Sequence, residues 1–310
     1  MIKYEGYITD VPGIQVGHHT DPLGRTGLTV VFSERGMACG VDVRGAAPGT
    51  RETDLLRPGN LVEKINAVVL SGGSAYGLNS VGGVMQYLEE RGIGFPTASG
   101  VVPIVPAAVL YDLSVGDPKI RPTAQDGYLA CKNARADEDR QGAVGAGTGA
   151  TVGKLLGQNS AMPGGLGSAS LQIGDLIVSA IVAVNALGDI FDHETGQQLA
   201  GPLSQGSGEM LSTERLLLGG IRKSGAMENT TIGVIATNGK LHSAQINRMA
   251  IVAHDGYAHS IRPVHTMADG DAIFTLATGE VEADLNQVLV MAVEVISRAI
   301  SNAVLAERID

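Results

Sequence analysis

The sequence predicts an α/β fold, on the basis of three observations. Glycine accounts for 43 of the 310 residues, about twice the usual share of roughly 7%, which indicates close contacts between backbone segments. Short apolar runs of strand length alternate with amphipathic stretches of helix length. Over residues 231–307 they follow in the order strand, helix, strand, helix, which fits neither a β-sandwich nor a helical bundle. We therefore expect a layered core of sheet and helices.

Four apolar runs predict buried or half-buried strands. Their length and their content of β-branched residues are typical of strands in a covered sheet. The predicted strands are residues 65–73 (INAVVLSGG), 176–186 (LIVSAIVAVNA), 231–238 (TIGVIATN) and 272–279 (AIFTLATG).

Three amphipathic stretches predict helices. The clearest is 284–307, where apolar residues recur at helical spacing behind Asp284, a suitable N-cap. A second helix is expected at 243–259. A third is expected from Ser74, as its N-cap, to about Glu90.

Composition and charge exclude several classes of protein. The 44% hydrophobic and 17% charged residues are typical of a globular chain, and no linker or repeat divides it, so one interwoven domain (1–310) is expected. The net charge of −10 without a basic cluster argues against nucleic acid as a partner. Neither a secretory signal nor a membrane span is predicted. Cys39 and Cys131 lack metal-ligand spacing and fit a cytoplasmic location as small core residues.

The glycine-rich segment 142–154 (GAVGAGTGATVGK) suggests nucleotide binding but does not match either common motif. A phosphate loop would need glycine at Thr148 and serine or threonine at Leu155. The loose dinucleotide pattern is present, but no buried strand precedes it.

Two further candidates also fail. Ser74 is not a nucleophile in an elbow, because Tyr76 stands where the second glycine should be. His254 and His259 are five residues apart, which places them on different helix faces and disfavours a metal pair.

A set of ordered motifs nevertheless covers almost the whole chain. It resembles the family of L-aminopeptidase/D-esterases and β-aminopeptidases, which includes the nylon-oligomer hydrolases. The motifs are 45–56 (GAAPGTRETDLL), 70–78 (LSGGSAYGL), 142–155 (GAVGAGTGATVGKL), 184–189 (VNALGD), 228–239 (ENTTIGVIATNG) and 265–274 (HTMADGDAIF).

The resemblance implies that Thr230 is a nucleophile freed by self-cleavage. Family members cut their own chain before a serine or threonine, and here the bond is Asn229–Thr230, giving fragments 1–229 and 230–310. The chemistry is consistent, because a threonine hydroxyl needs a nearby base and a free α-amine has a pKa of roughly 8. Without the resemblance, the residues favour a different interpretation, in which Thr230 is a β-branched residue entering a strand and Asn229 is a turn residue that ends a loop.

Asp269, Asp271 and Lys154 are the next site residues implied. An Asp-x-Asp pair stands here in the nylon-hydrolase branch, whereas the β-aminopeptidase branch has Ser-x-Glu or a similar pair. In an extended chain the two carboxylates lie on one face, and both ionise only beside a cation, for which Lys154 is the candidate. The resemblance also places Lys154 beside the α-amine. The alternatives are an Asp-Gly turn and a solvated lysine.

Asn185 and Tyr111 complete the predicted site. Asn185 lies within an apolar run, where an unpaired amide would cost about 1 to 3 kcal/mol. By resemblance its amide N–H stabilises the oxyanion, while Tyr111 lines the pocket and adds a second donor. Tyr111 also reads as a core tyrosine.

The family implies a four-layered α/β/β/α sandwich with two stacked sheets, of the N-terminal-nucleophile type. It implies a homotetramer of cleaved chain pairs that hydrolyses a small peptide or amide without metal or organic cofactor. The alternatives are an acyltransferase of the ornithine acetyltransferase type and an unprocessed binding protein. The substrate is left open, and Asp112 and Asp189 are among the acids that could recognise a substrate amine.

Overall fold

The structure, a computed structural model, describes residues 3–221 and 229–306. Within these ranges the chain forms the following strands and helices. The strands are β1 (Gln15–Asp21), β2 (Thr26–Val43), β3 (Gly49–Arg51), β4 (Lys64–Ser71), β5 (Phe95–Thr97), β6 (Gly100–Val102), β7 (Ala107–Val109), β8 (Thr151–Val152), β9 (Met162–Pro163), β10 (Gly165–Ile173), β11 (Leu176–Asn185), β12 (Asp189–Phe191), β13 (Gln198–Ala200), β14 (Thr230–Gly239), β15 (Ile261–Arg262) and β16 (Ala272–Val281). The helices are α1 (Ser80–Glu89), α2 (Ala124–Lys132), α3 (Thr213–Leu218), α4 (Ser243–Ser260) and α5 (Leu285–Ala306).

One nine-stranded sheet dominates the described part of the chain. Its strand order is β10-β11-β14-β16-β2-β4-β7-β3, with β1 paired to β2. The β14–β16 and β4–β7 pairs are parallel, and the others are antiparallel. The mixed α/β class is as predicted, and a layered architecture with two stacked sheets stays a prediction.

Among the described residues, three apolar clusters hold the helices and strands together. In the first, α4 and α5 cover β11, β14 and β16 through residues such as Val182 and Ile273. In the second, α1 and α2 cover β2 and β4. The third contains Val31 of β2 together with Ile181 of β11 and Ile232 of β14. Because side chains alternate along a strand, the long strands β2, β4, β11, β14 and β16 each contribute to two of these clusters.

Helix α5 shows why hydropathy alone does not identify a membrane span. By length and composition it could cross a bilayer, yet 67% of its most apolar window is buried within the protein. The Asp284 side chain accepts a hydrogen bond from the Gln287 N–H (3.0 Å), so the predicted N-cap is confirmed. We interpret α5 as a core helix.

The other predicted elements agree with the structure except at Ser74. The four strands correspond to β4, β11, β14 and β16, and Cys39 and Cys131 are buried free thiols. The third predicted helix begins as a 3₁₀ turn, Ser74–Asn79, followed by α1. The N-cap prediction for Ser74 is wrong: the cap position is Gly73, and both residues have positive φ (79° and 55°), so the chain enters the turn in the left-handed conformation.

Candidate active site

Thr230 lies where β11 ends and where β14 and β16 begin. It is the first residue of β14, and it pairs across the antiparallel ladder with Asn185, the last residue of β11. On the opposite side, Asn229 forms a parallel bridge with Asp269 just ahead of β16. Thr230 is only 5% exposed. Residues that are far apart in the sequence therefore meet at one end of the sheet.

The carbonyl group of Asn229 has two donors at its oxygen. The Thr230 hydroxyl contacts it directly, and the Gly270 N–H donates to it at 3.1 Å. A Cβ on Gly270 would stand 2.8 Å from Thr230 Oγ1 and 2.6 Å from the Ala47 carbonyl oxygen. Only glycine fits between these atoms, so the strand edge can approach the Asn229–Thr230 peptide closely.

Asn185 is fixed by hydrogen bonds at both ends of its amide. Its Oδ1 accepts from Lys154 Nζ (2.7 Å) and from the Thr151 N–H (3.0 Å). Lys154 Nζ also donates to the Asn185 backbone carbonyl (3.1 Å), and Asn185 Nδ2 donates to the Tyr111 carbonyl (2.9 Å). Because two donors face Oδ1, the amide orientation is determined, and Nδ2 retains a second hydrogen. Asn185 therefore contacts both Lys154 and Tyr111, the two residues that the resemblance places with it in the predicted site.

The end of the glycine-rich segment, just before Lys154, holds the lysine in place beside Asn185. Gly153 has a φ of 68°, and a Cβ there would lie 2.3 Å from the Gly201 carbonyl carbon. The Gly153 and Lys154 amides donate to the Gly188 and Leu187 carbonyls, at 3.1 and 3.2 Å. Lys154 is thereby held in the interior, with 4% of its surface exposed.

Asp271 accepts three hydrogen bonds, and none of them comes from Lys154. Its Oδ1 accepts the Thr231 N–H at 2.7 Å. Its Oδ2 accepts from His265 Nδ1 at 2.8 Å and from the His265 N–H at 3.2 Å. The side-chain donor to this carboxylate is therefore a histidine six residues earlier in the same loop.

Asp269 lies in a different environment from its neighbour Asp271. Its Oδ2 accepts from the Thr266 N–H (2.7 Å) and from Thr266 Oγ1 (2.6 Å). Burial, followed by the nearby charge of Asp271, raises the pKa of Asp269 to about 6, and the Thr266 hydrogen bonds and the Lys154 charge oppose that rise. Lys154 thus acts on this carboxyl group through its charge.

A cavity of about 190 Å³ opens onto Thr230. Tyr111 is half-buried and lines this cavity. Among the described residues, the lining includes no carboxylate. The full lining is Ala47, Pro48, Gly49, Ser74, Ala75, Val109, Leu110, Tyr111, Asn229 and Thr230.

The two acids suggested for binding a substrate amine are engaged inside the fold. Asp112 accepts from Thr26 Oγ1 (2.6 Å) and from the Gly73 N–H (2.7 Å). Asp189 accepts from the Thr213 N–H (2.8 Å) and from the Thr213 hydroxyl. Both are almost fully buried, and neither lines the cavity at Thr230.

Sequence reasoning missed three contributors to this arrangement: His265, Thr266 and Gly270. His265 and Thr266 open the quoted motif HTMADGDAIF, and Gly270 stands between its two aspartates. A signal was therefore present, but an Asp-Gly pair reads as a turn and a lone histidine as a surface residue.

One cluster among the described residues could hold a metal ion, and it lies outside the cavity at Thr230. Ligand atoms of His193, Glu194 and Glu294 lie within 4.8 Å of one another. Lys3 and Arg298 already pair with them, Arg298 Nε lying 2.8 Å from Glu294 Oε1 and Lys3 Nζ 3.5 Å from Glu194 Oε2. This neutralised group gives no support to metal chemistry.

Comparison with known sequences now identifies the family. The profile of peptidase family S58 matches residues 6–309, so the chain belongs to that family, as the motifs predicted. An uncharacterized aminopeptidase of Mycobacterium leprae is 46% identical over 294 residues, covering 89% of this chain and 79% of that protein. A 6-aminohexanoate-oligomer endohydrolase of a Kocuria species is 31% identical over 289 residues, covering 88% and 75%.

The fold agrees with this membership. The L-aminopeptidase D-Ala-esterase/amidase of Ochrobactrum anthropi, described as a variant of the Ntn hydrolase fold, superposes with a TM-score of 0.70 at 19% identity. The match covers 97% of this chain and 86% of that one. The protein is a hydrolase of amide or peptide bonds with a mixed α/β fold.

Proposed function

We propose that this hydrolase cuts its own chain between Asn229 and Thr230 and then uses Thr230 as an N-terminal nucleophile on amide substrates. The observation that carries the proposal is the contact of the Thr230 hydroxyl with the Asn229 carbonyl, which also accepts the Gly270 N–H. A hydroxyl against the peptide that it would attack, with a donor at the oxygen where negative charge develops, suits an intramolecular acyl shift.

Self-cleavage then has two steps. Thr230 Oγ1 adds to the Asn229 carbonyl carbon, the C–N bond breaks, and the hydroxyl proton ends on the Thr230 nitrogen, leaving an ester. Water hydrolyses the ester and yields the Asn229 carboxylate and a free Thr230 hydroxyl. The Gly270 N–H stabilises the oxyanion in the first step, an interaction that is typically worth a factor of about 10² to 10³ in rate.

Substrate hydrolysis repeats this chemistry on an incoming amide. The freed α-amine takes the hydroxyl proton, because its pKa of roughly 8 suits a base near neutral pH, and the charge of buried Lys154 favours its neutral form. Asn185 offers the remaining hydrogen of Nδ2 to the oxyanion, and Tyr111 is the proposed second donor. Asp269 and Asp271 hold the β14 edge in position. Water releases the acyl group from Thr230.

The architecture and assembly of the mature enzyme are part of the proposal. We infer that β2, which is 18 residues long, runs through both of two stacked sheets. The apolar cluster that contains Val31, Ile181 and Ile232 then lies between the two sheets, and helices on their outer faces complete the α/β/β/α layers. A homotetramer of cleaved chain pairs in the cytoplasm, each pair one interwoven domain, stays the expected form.

Product analysis tests this function. The wild-type protein and Thr230→Ala are incubated with an α-amino acid anilide, a β-amino acid anilide and a 6-aminohexanoate oligomer, with and without an added amine acceptor. We expect free acid as the product from the wild type, no product from Thr230→Ala and partial activity from Thr230→Ser. Acylated acceptor as the main product would favour the acyltransferase alternative, and wild-type turnover by Thr230→Ala would exclude Thr230 as the nucleophile.

A further inference from the structure

His265 occupies a strained position directly behind the carboxylate of Asp271. Its φ is 55°, in the left-handed region that non-glycine residues seldom adopt and that often marks functional sites. This conformation turns both its backbone N–H and its ring Nδ1 toward Asp271 Oδ2, at 3.2 and 2.8 Å. Since a carboxylate can only accept, Nδ1 carries a hydrogen.

Asp271 transmits this contact to the nucleophile segment. Its other oxygen accepts the N–H of Thr231 at 2.7 Å, and Thr231 follows Thr230 directly. The chain of contacts therefore runs from the His265 ring, through one carboxylate, to the backbone one residue after the Thr230 hydroxyl. Asp271 is 1% exposed, so no bulk solvent competes for its oxygens.

The two rings packed against His265 carry no charge that competes with its contact to Asp271. The ring of His254 lies 4.8 Å from it, and burial lowers the pKa of His254 to about 3, so that ring is neutral. Tyr257 stacks at 6.1 Å, and burial raises the pKa of its phenol well above the ordinary value. The nearest charged partner of His265 is therefore Asp271.

We propose that His265 is a positioning residue for Thr230: it fixes the Asp271 carboxylate, which in turn fixes the start of β14 through Thr231. This inference rests on the proposed role of Thr230 as nucleophile. The same contact explains how the buried carboxyl groups of Asp269 and Asp271 can lie close together. Asp271 has a histidine donor of its own, while the charge of Lys154 acts on Asp269.

Three substitutions at one position separate positioning from loop structure. Asn tolerates the left-handed conformation and places an amide N–H near the site of Nδ1. Gly adopts that conformation more easily than His but lacks the donor, and Ala lacks the donor and keeps the strain. We expect self-cleavage to slow about tenfold or more in His265→Gly and His265→Ala, and to return to within about threefold of wild type in His265→Asn.

The readouts are the rate of self-cleavage by intact mass and the melting temperature of each variant. Slow cleavage by His265→Gly at an unchanged melting temperature, with rescue by His265→Asn, supports the proposal. Wild-type cleavage by His265→Gly overturns it. Equal loss of rate and of melting temperature in the Gly and Asn variants also overturns it, because that result describes a structural loop residue.

A second measurement does not depend on cleavage. In ¹⁵N-threonine-labelled Thr230→Ala protein, we expect the Thr231 amide proton to resonate downfield, because it donates to a carboxylate. The signal should move upfield when His265→Gly is added to this variant. It should keep its position when His265→Asn is added instead. An unmoved signal in the Gly variant contradicts the proposal. A wild-type chain that stays uncut, with the Thr231 signal behaving as expected, rejects the proposed function and leaves the contact intact.

Discussion

Two buried aspartates in this protein are close to identical in their immediate chemistry. Asp189 accepts the N–H and hydroxyl of Thr213, and Asp269 accepts the N–H and hydroxyl of Thr266. Burial is the main cause that raises the pKa of each to about 6. They differ in what surrounds them: Asp269 has the second carboxylate of Asp271 and the charge of Lys154, whereas Asp189 secures the first residue of α3.

Neither a raised pKa nor an Asp–Thr pair therefore identifies a functional site by itself. The pKa of a carboxyl group is also raised where the group is buried for structural reasons only. What distinguishes the Asp269 region is the convergence of β11, β14 and β16 at Thr230. Matched substitutions in the two regions test whether self-cleavage depends on the residues where these strands converge.

The largest expected difference is between Thr230→Ala and Thr213→Ala. The first removes the proposed nucleophile, so the chain should fold and stay uncut. The second removes a buried hydroxyl donor from Asp189 and should cost about 1 to 3 kcal/mol of unfolding free energy while self-cleavage continues. Denaturing gels and thermal melts of both variants check this, and a cut chain in Thr230→Ala would refute the comparison.

Next in size are Asp269→Asn and Asp271→Asn. Each keeps the side-chain size and removes one charge beside the nucleophile, so we expect self-cleavage to slow by on the order of 10²-fold with folding retained. Asp189→Asn is the matched control and should cleave at nearly the wild-type rate. If both site variants cleave as fast as the control, Asp269-Gly270-Asp271 is a turn and nothing more.

A similar effect is expected at Lys154. Lys154→Met keeps the length of the side chain but loses the donor to Asn185 Oδ1 and the positive charge, so cleavage and turnover should both fall by about 10². Lys240→Met provides the control, because Lys240 pairs with Glu282 at the surface. A rate in Lys154→Met equal to that of Lys240→Met would remove Lys154 from the mechanism.

The smallest effect concerns stability and pH, and there the two regions should behave alike. Both carboxyl groups have a folded-state pKa of about 6, above the unfolded value of roughly 3.9, so the folded chain binds more protons and loses stability as the pH rises from about 4 to 6. Asp189→Asn and Asp269→Asn should each reduce that loss, by on the order of 2 kcal/mol. Denaturant titrations at pH 4 and pH 7 measure it, and slopes unchanged from wild type would show that the shifts are absent.

The long elements could be predicted from sequence because one uninterrupted pattern runs through each of them. In helix α5 the pattern is the helical period of its apolar residues, and in strands β11, β14 and β16 it is a continuous apolar run. Strand β2 was missed because Glu34, Arg35 and Gly36 interrupt its apolar run, at the irregularity in pairing between Phe32 and Met37. An interrupted strand has no continuous pattern to detect.

For the candidate site, the sequence predicts residues but not the contacts between them. Thr230, Asn185 and Lys154 were singled out by family resemblance, since a threonine entering a strand is not distinctive by itself. The role of His265 could not be predicted, because it depends on a left-handed backbone conformation that aims the ring at a carboxylate six residues later. Ser74 was misassigned for the same reason: positive φ is invisible in a sequence when the residue is not glycine.

The central claim is that the Asn229–Thr230 bond is cut by the chain itself, and the intact mass of the purified wild-type protein tests it most directly. We predict two fragments of 229 and 81 residues, roughly 24 and 8 kDa of the 31.9 kDa chain, with the smaller beginning Thr-Thr-Ile. A chain that stays at 31.9 kDa after prolonged incubation, or a small fragment that begins at Thr231, would contradict the claim.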